Sequence, residues 1–143
     1  MTKVVSLLVA AVLLAPLAGV TSTLADGPEL KVKAPRVTFM RPTMPNQRQR
    51  TTVTIRITAT LDKLEEAEDP EEYYCLEEVW DWDDDTDSEY EPDCDPYEEG
   101  MDLKTNFSAS HQYRYPGTYR VFLRLERNGD TVIAGSANVQ IRN

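Results

Sequence analysis

The stretch from Tyr119 to Arg142, YRVFLRLERNGDTVIAGSANVQIR, constrains the fold more than any other part of the chain. Tyr119, Val121, Leu123 and Leu125 alternate with charged or exposed residues, and Ile133, Ala137, Val139 and Ile141 answer them after Asn128-Gly129. Asn and Gly accept positive φ at low cost, so the pair between two alternating runs predicts a tight β-hairpin. TTVTIRITAT sets Val53, Ile55, Ile57 and Ala59 against Thr52, Thr54, Arg56 and Thr58, the period of a strand with one buried face. Leu103, Thr105 and Phe107 repeat that spacing. Tyr74, Leu76, Trp80 and Trp82 form a further face interrupted by Glu78, which predicts a strand with a bulge and Cys75 on its opposite side. Pro28, Pro35, Pro42 and Pro45 exclude a helix and leave room only for short edge pieces: a lead-in over 26–35 and a first edge strand near Arg36 to Met40. LDKLEEAEDPEEYY reads equally as a short helical turn ended by Pro70 or as a solvated acidic loop. Short strands, turn signals between them and no long helix predict an all-β, antiparallel β-sandwich of about seven strands.

Residues 1–25 carry one lysine, an apolar run broken at Pro16, and the small residues Thr23 and Ala25 where a signal peptidase reads. That run is shorter than the roughly 20 residues of a spanning helix, so the expectation is a secretory signal and no membrane span in the mature chain. The product, beginning near Asp26, then meets an oxidising compartment, extracellular or periplasmic. Its roughly 118 residues make one ordinary domain. Two cysteines in such a chain are most economically read as one disulfide, Cys75 to Cys94. Zinc fails on ligand supply, because two distant thiols and the single His111 make no zinc pattern.

Charge narrows the partner. Without Lys3 the net charge of −10 becomes −11, and no Lys or Arg occurs between Glu65 and Asp102. Phosphate contacts need a cationic surface, so nucleic acid is excluded as a partner, and a basic partner or a divalent cation fits better. From Asp83 to Gly100 the chain is almost wholly polar and buries too little apolar surface to order itself, which leaves an acidic loop tethered by the disulfide.

Over residues 111–123, HQYRYPGTYRVFL, the pattern His-x-Tyr-x-x-Pro-Gly-x-Tyr-x-Val-x-Leu resembles the polycystic kidney disease (PKD) domain, an immunoglobulin-like sandwich of extracellular proteins. Upstream, Trp80-Asp81-Trp82-Asp83-Asp84-Asp85 stands where that family carries Trp-Asp-Phe-Gly-Asp-Gly. The similarity runs from about Arg36 to Arg142, giving a PKD-like domain over 36–143. It departs at Trp82, at Asp83 and Asp85 in place of the two glycines, and in a longer acidic insertion from Asp87 to Asp102. Asp visits the left-handed region more readily than most residues, so the turn survives the exchange. The resemblance implies that Trp80 is the central core tryptophan, with Asp81 and His111 in polar contacts tying its strand to the turn before the next. It places Tyr113 in the motif, makes Pro116-Gly117 a tight turn with glycine at positive φ, and has Tyr119 anchor a corner through its hydroxyl. In function it implies a non-catalytic module for contact with a protein or glycan at the cell surface, or a spacer.

Two sharper chemistries compete for the acidic stretch. Paired carboxylates beside tryptophan suit a glycosidase, the alternative being a carbohydrate-active accessory or hydrolytic protein that uses the acidic loop and Trp82, but nothing in the sequence encloses a pocket around them. Calcium wants several hard oxygen ligands. An EF-hand fails, since Thr86 and Pro92 stand where its glycine and glutamate are required, but a looser site of Asp83, Asp85 and Asp87 with Glu89 or Asp95 stays open. No cofactor is required by the sandwich itself. The expectation is that Trp80 and Asp81 hold the fold while Asp83 to Glu91 face outward as an acidic recognition surface.

Overall fold

The computed structural model describes residues 27–38 and 52–142. The expected signal at 1–25 and the Met40 end of the first edge strand lie outside the described residues. In chain order the strands are β1 (Glu29–Lys33), β2 (Arg36–Thr38), β3 (Val53–Asp62), β4 (Glu77–Asp81), β5 (Asp87–Tyr90), β6 (Asn106–Tyr113), β7 (Gly117–Arg127) and β8 (Asp130–Arg142). They form two sheets, a three-stranded one ordered β1-β3-β6 and a five-stranded one ordered β2-β8-β7-β4-β5. All pairings are antiparallel except that of β2 with β8. The protein is an all-β sandwich, with β1 and β2 dividing the N-terminal segment between its two sheets.

The alternation read from the sequence becomes the core. Ile55, Ile57, Ala59 and Leu61 of β3 and Phe107 and Tyr113 of β6 face Trp80 of β4, Val121, Leu123 and Leu125 of β7, and Val139 and Ile141 of β8. Burying side chains of this size contributes roughly 1.5–3 kcal/mol each before the entropy of ordering is counted. Asn128 and Gly129 stand at φ 54° and 83°, so the β7–β8 hairpin turns through two left-handed residues. A register irregularity falls beside Leu125 and Glu126 in that hairpin.

Several expectations need correction. The stretch over 26–35 is more than a lead-in, because Leu30 and Val32 alternate inward on β1 and Leu30 is buried. Pro70 opens a 3-10 turn, Pro70–Tyr73, where an ending was expected; the Asp69 carboxylate accepts the Glu71 N–H at 3.0 Å to start it. Another 3-10 turn, Leu64–Glu66, follows left-handed Lys63. Glu78 causes no bulge in β4, whose register with β7 runs unbroken from Glu77 to Asp81. Cys75 precedes that strand at φ 56°, and so has no place on a strand face. The acidic stretch does order in part, because β5 pairs with β4. Gly117 is not among the residues at positive φ; a Cβ there would meet the Tyr119 ring at 3.4 Å, an ordinary van der Waals contact, so neither backbone nor space demands glycine.

Candidate functional site

The acidic turn grows out of β4. Even-numbered residues of this strand face inward, so Trp80 and Trp82 are both buried, Trp82 completely. The Trp82 N–H donates to the Thr86 carbonyl at 3.1 Å and closes the hairpin into β5, while Asp83 and Asp85 take φ 59° and 63°. These are the two positions where the PKD pattern carries glycine, and aspartate tolerates them because its short polar chain bonds locally.

Three of the aspartates have structural partners. Asp81 accepts the Asp83 N–H at 3.0 Å and braces the turn. Asp83 accepts the Arg120 N–H at 2.7 Å. Continuing the β4–β7 register past Asp81 and Phe122 brings Asp83 opposite Arg120, so this carboxylate accepts where the β4 ladder no longer supplies an accepting carbonyl. Asp84 accepts from the Thr86 hydroxyl and lies 2.8 Å from Nε2 of His111, which comes from the opposite sheet. The polar contact expected of His111 is therefore made with Asp84, while Asp81 braces the turn through the Asp83 N–H. Burial alone would push the Asp84 carboxyl up, but the hydrogen bonds from Thr86 and His111 and the charge of the imidazole outweigh it, and the carboxyl titrates below its usual range.

A row of rings backs this latch. Trp82 stacks on Trp80 at 5.7 Å and on His111 at 4.6 Å, each at an interplanar angle of 9°. His111 meets Tyr113 edge-on at 4.7 Å, and Tyr113 stacks on Tyr119 at 4.0 Å. The Tyr113 hydroxyl donates to the Trp82 carbonyl at 2.9 Å, and the Tyr119 hydroxyl to that of Tyr115 at 2.9 Å, the corner expected of it. Burial chiefly, with the neighbouring Asp84, Tyr119 and Asp83, holds the Tyr113 phenol well above its ordinary range. Trp80, Trp82, His111, Tyr113 and Tyr119 thus form one connected cluster, beside which Pro116 is exposed.

The remaining carboxylates face water. Asp85, Asp87 and Glu89 are exposed and, with Val79, Asp81 and Arg124, border a shallow depression on the outer face of the five-stranded sheet. Among the described residues no three His, Cys, Asp or Glu side chains converge to hold a metal. Asp83, Asp85 and Asp87, the candidate calcium ligands, are spread over the turn and β5, with Asp83 engaged by Arg120.

The disulfide joins Cys75 to Cys94, with Cα atoms 6.1 Å apart. Beside it the Tyr74 hydroxyl donates to the Asp95 carbonyl at 3.0 Å, and the rings of Tyr74 and Tyr97 lie 5.3 Å apart. Arg127, at the end of β7, donates to the carbonyls of Glu71 and Tyr74 and pins the preceding segment. Sequence reasoning missed the pairing of Glu78 with Lys104, where a carboxylate only 6% exposed meets an ammonium 54% exposed. Lys104 also lies over the rings of Tyr90 and Phe107 at 5.3 and 5.2 Å. One signal was available, since Lys104 is the first cation after the acidic block.

Fold and site together define an all-β sandwich with a disulfide-tethered acidic hairpin at one side. No family model matches the chain, and no curated protein is significantly similar to it. Among the described residues no helix is long and apolar enough to cross a membrane.

Proposed function

We propose that this chain is a secreted, non-catalytic, PKD-like module that recognises a basic partner through the exposed carboxylates of its β4–β5 hairpin. One observation carries the reading: the aspartates of the turn divide into two sets. Asp81, Asp83 and Asp84 are taken up by backbone or side-chain partners, whereas Asp85 at the turn and Asp87 and Glu89 on β5 are exposed and hold no such partner among the described residues. An acid and base pair for hydrolysis needs an enclosed cleft to separate its pKa values, and the depression here is shallow. A calcium ion needs several converging ligands, and of the candidates Asp83 is held by the Arg120 N–H, while among the described residues no three such side chains come together. A row of like charges facing solvent is suited to attracting a cationic surface. Full burial of Trp82 argues against a sugar platform built on its ring. Left-handed Asp83 and Asp85, together with the Tyr119 corner, support the PKD-like part of the proposal, and the disulfide is compatible with export.

The test titrates the purified chain calorimetrically with a lysine-rich peptide of scrambled order, at low and high salt, beside a glycan array and a hydrolase panel. Expected are binding that weakens as salt rises, further weakening when Asp85, Asp87 and Glu89 are changed to Asn, Asn and Gln, and silence on the array and panel. Hydrolysis, glycan capture lost in the same triple variant, or indifference to the cationic peptide would each overturn the proposal.

A further inference from the structure

The manner of that recognition follows from where the hairpin sits. Among the described residues β5 has a neighbour on one side only, β4, and all four of its residues are exposed, Tyr90 to 57%. The Trp82 N–H to Thr86 carbonyl bond fixes which backbone groups are free. In an antiparallel pair, hydrogen-bonded and non-hydrogen-bonded pairs alternate. Counting from Trp82 and Thr86, Trp80 with Ser88 and Glu78 with Tyr90 are hydrogen-bonded, while Asp81 with Asp87 and Val79 with Glu89 are not. The N–H and C=O groups of Asp87 and Glu89 therefore point away from β4, toward the open edge.

The side chains of the same two residues add the charge. Asp87 and Glu89 share the outer face with Asp81 and Arg124, and Asp87 stands directly across from Asp81. Like charges at a directly opposed pair are unfavourable, and the outer strand has no cation of its own to relieve them. A second copy of β5 added at this edge would bring more carboxylates to it, so the charge that invites a basic strand also guards the edge against self-association.

We infer that β5 is an acceptor edge: an extended segment with Lys or Arg at alternate positions adds to the five-stranded sheet as a sixth strand, its backbone bonded to Asp87 and Glu89 and its basic side chains over Asp81, Asp87 and Glu89. The inference rests on the acidic-face reading and specifies its geometry, main-chain bonds for affinity and alternate side chains for specificity. Ser88 and Tyr90 occupy the other face of β5, so the incoming strand takes small or aromatic residues between its cations.

The experiment uses the full chain and a synthetic peptide of alternating Lys and Thr, its isomer N-methylated on alternate residues so that one edge cannot donate, and the scrambled lysine-rich peptide. Proline at Glu89 removes an N–H that β4 does not use, so Glu89→Pro should leave the β4–β5 ladder intact, with circular dichroism as the check and Glu89→Gln as the charge control. The alternating peptide should bind the parent, slow amide exchange at Asp87 and Glu89, lose about tenfold in affinity to Glu89→Pro relative to Glu89→Gln, and fail when N-methylated. Equal binding of the alternating, N-methylated and scrambled peptides would overturn the edge-addition inference and leave the acidic-face reading standing. Failure of every cationic peptide would overturn both. If Glu89→Pro unfolds, the N-methylated peptide and the exchange rates of the parent decide alone.

Discussion

Replacing Asp84 with alanine removes the carboxylate that His111 and the Thr86 hydroxyl both reach, at a point where the β4–β5 turn meets the opposite sheet. The Asp84 and His111 side chains are only 24% and 16% exposed, so solvent replaces the lost bond incompletely. A hydrogen bond to a charged group contributes about 1.5–3 kcal/mol, and Asp84→Ala should cost about 2 kcal/mol, or roughly 10 °C in Tm for a domain near 100 residues. His111→Ala should cost more, because it also strips the ring that stacks on Trp82. In a double-mutant cycle by urea denaturation the pair should show a coupling of about 1–2 kcal/mol. The pH dependence has a definite sign. A carboxyl whose folded pKa is depressed adds stability above its unfolded pKa, near 4, and loses it as pH falls through the folded value. The gap between parent and Asp84→Ala should therefore be full at neutral pH and close below about pH 4. Additive single mutants, or a gap that persists unchanged into acid, would refute the latch.

Three further outcomes are expected. Changing Cys75 and Cys94 together to Ser opens a loop with a sequence separation of 19 and should lower stability by about 3 kcal/mol by the chain-entropy estimate, read from the urea midpoint, with two free thiols in the parent by mass spectrometry defeating it. A Cβ on Gly135 would lie 2.5 Å from the Leu30 carbonyl, so Gly135→Ala should cost about 1–3 kcal/mol by forcing β1 off β8, and an unchanged thermal melt would show that β1 retreats freely. The raised Tyr113 phenol contributes stability that is complete below its unfolded pKa, near 10, and is lost as pH climbs beyond it; Tyr113→Phe should flatten that alkaline loss, and identical alkaline curves would deny Tyr113 its part in it.

What the sequence made legible was whatever a local period encodes. The β7–β8 hairpin, the buried face of β3 and the disulfide partners each depend on residues whose spacing or chemistry leaves few alternatives, whereas the Tyr119 corner was expected only from the resemblance to the PKD pattern. β1 escaped notice because flanking prolines argued for a loop, although Leu30 and Val32 keep the strand period in ELKVK. Glu78 read as a break in the inward face because its neutralising partner, Lys104, lies 26 residues away, beyond any local pattern. The same limit governed the acidic turn. Composition alone cannot sort Asp84, held by a histidine from another sheet, from Asp85, held by nothing so distant, since the difference arises only when β6 comes to lie beside the hairpin.

The aromatic row has a spectroscopic consequence. Both tryptophans of the chain lie within the latch, and one is stacked on its single histidine. Tryptophan emission from this protein is therefore a local signal from the β4–β6 junction. Reducing the disulfide should free the tether while leaving that emission largely as it was, whereas opening the latch should shift it to the red, so two rearrangements within one small domain can be separated in a cuvette without any label.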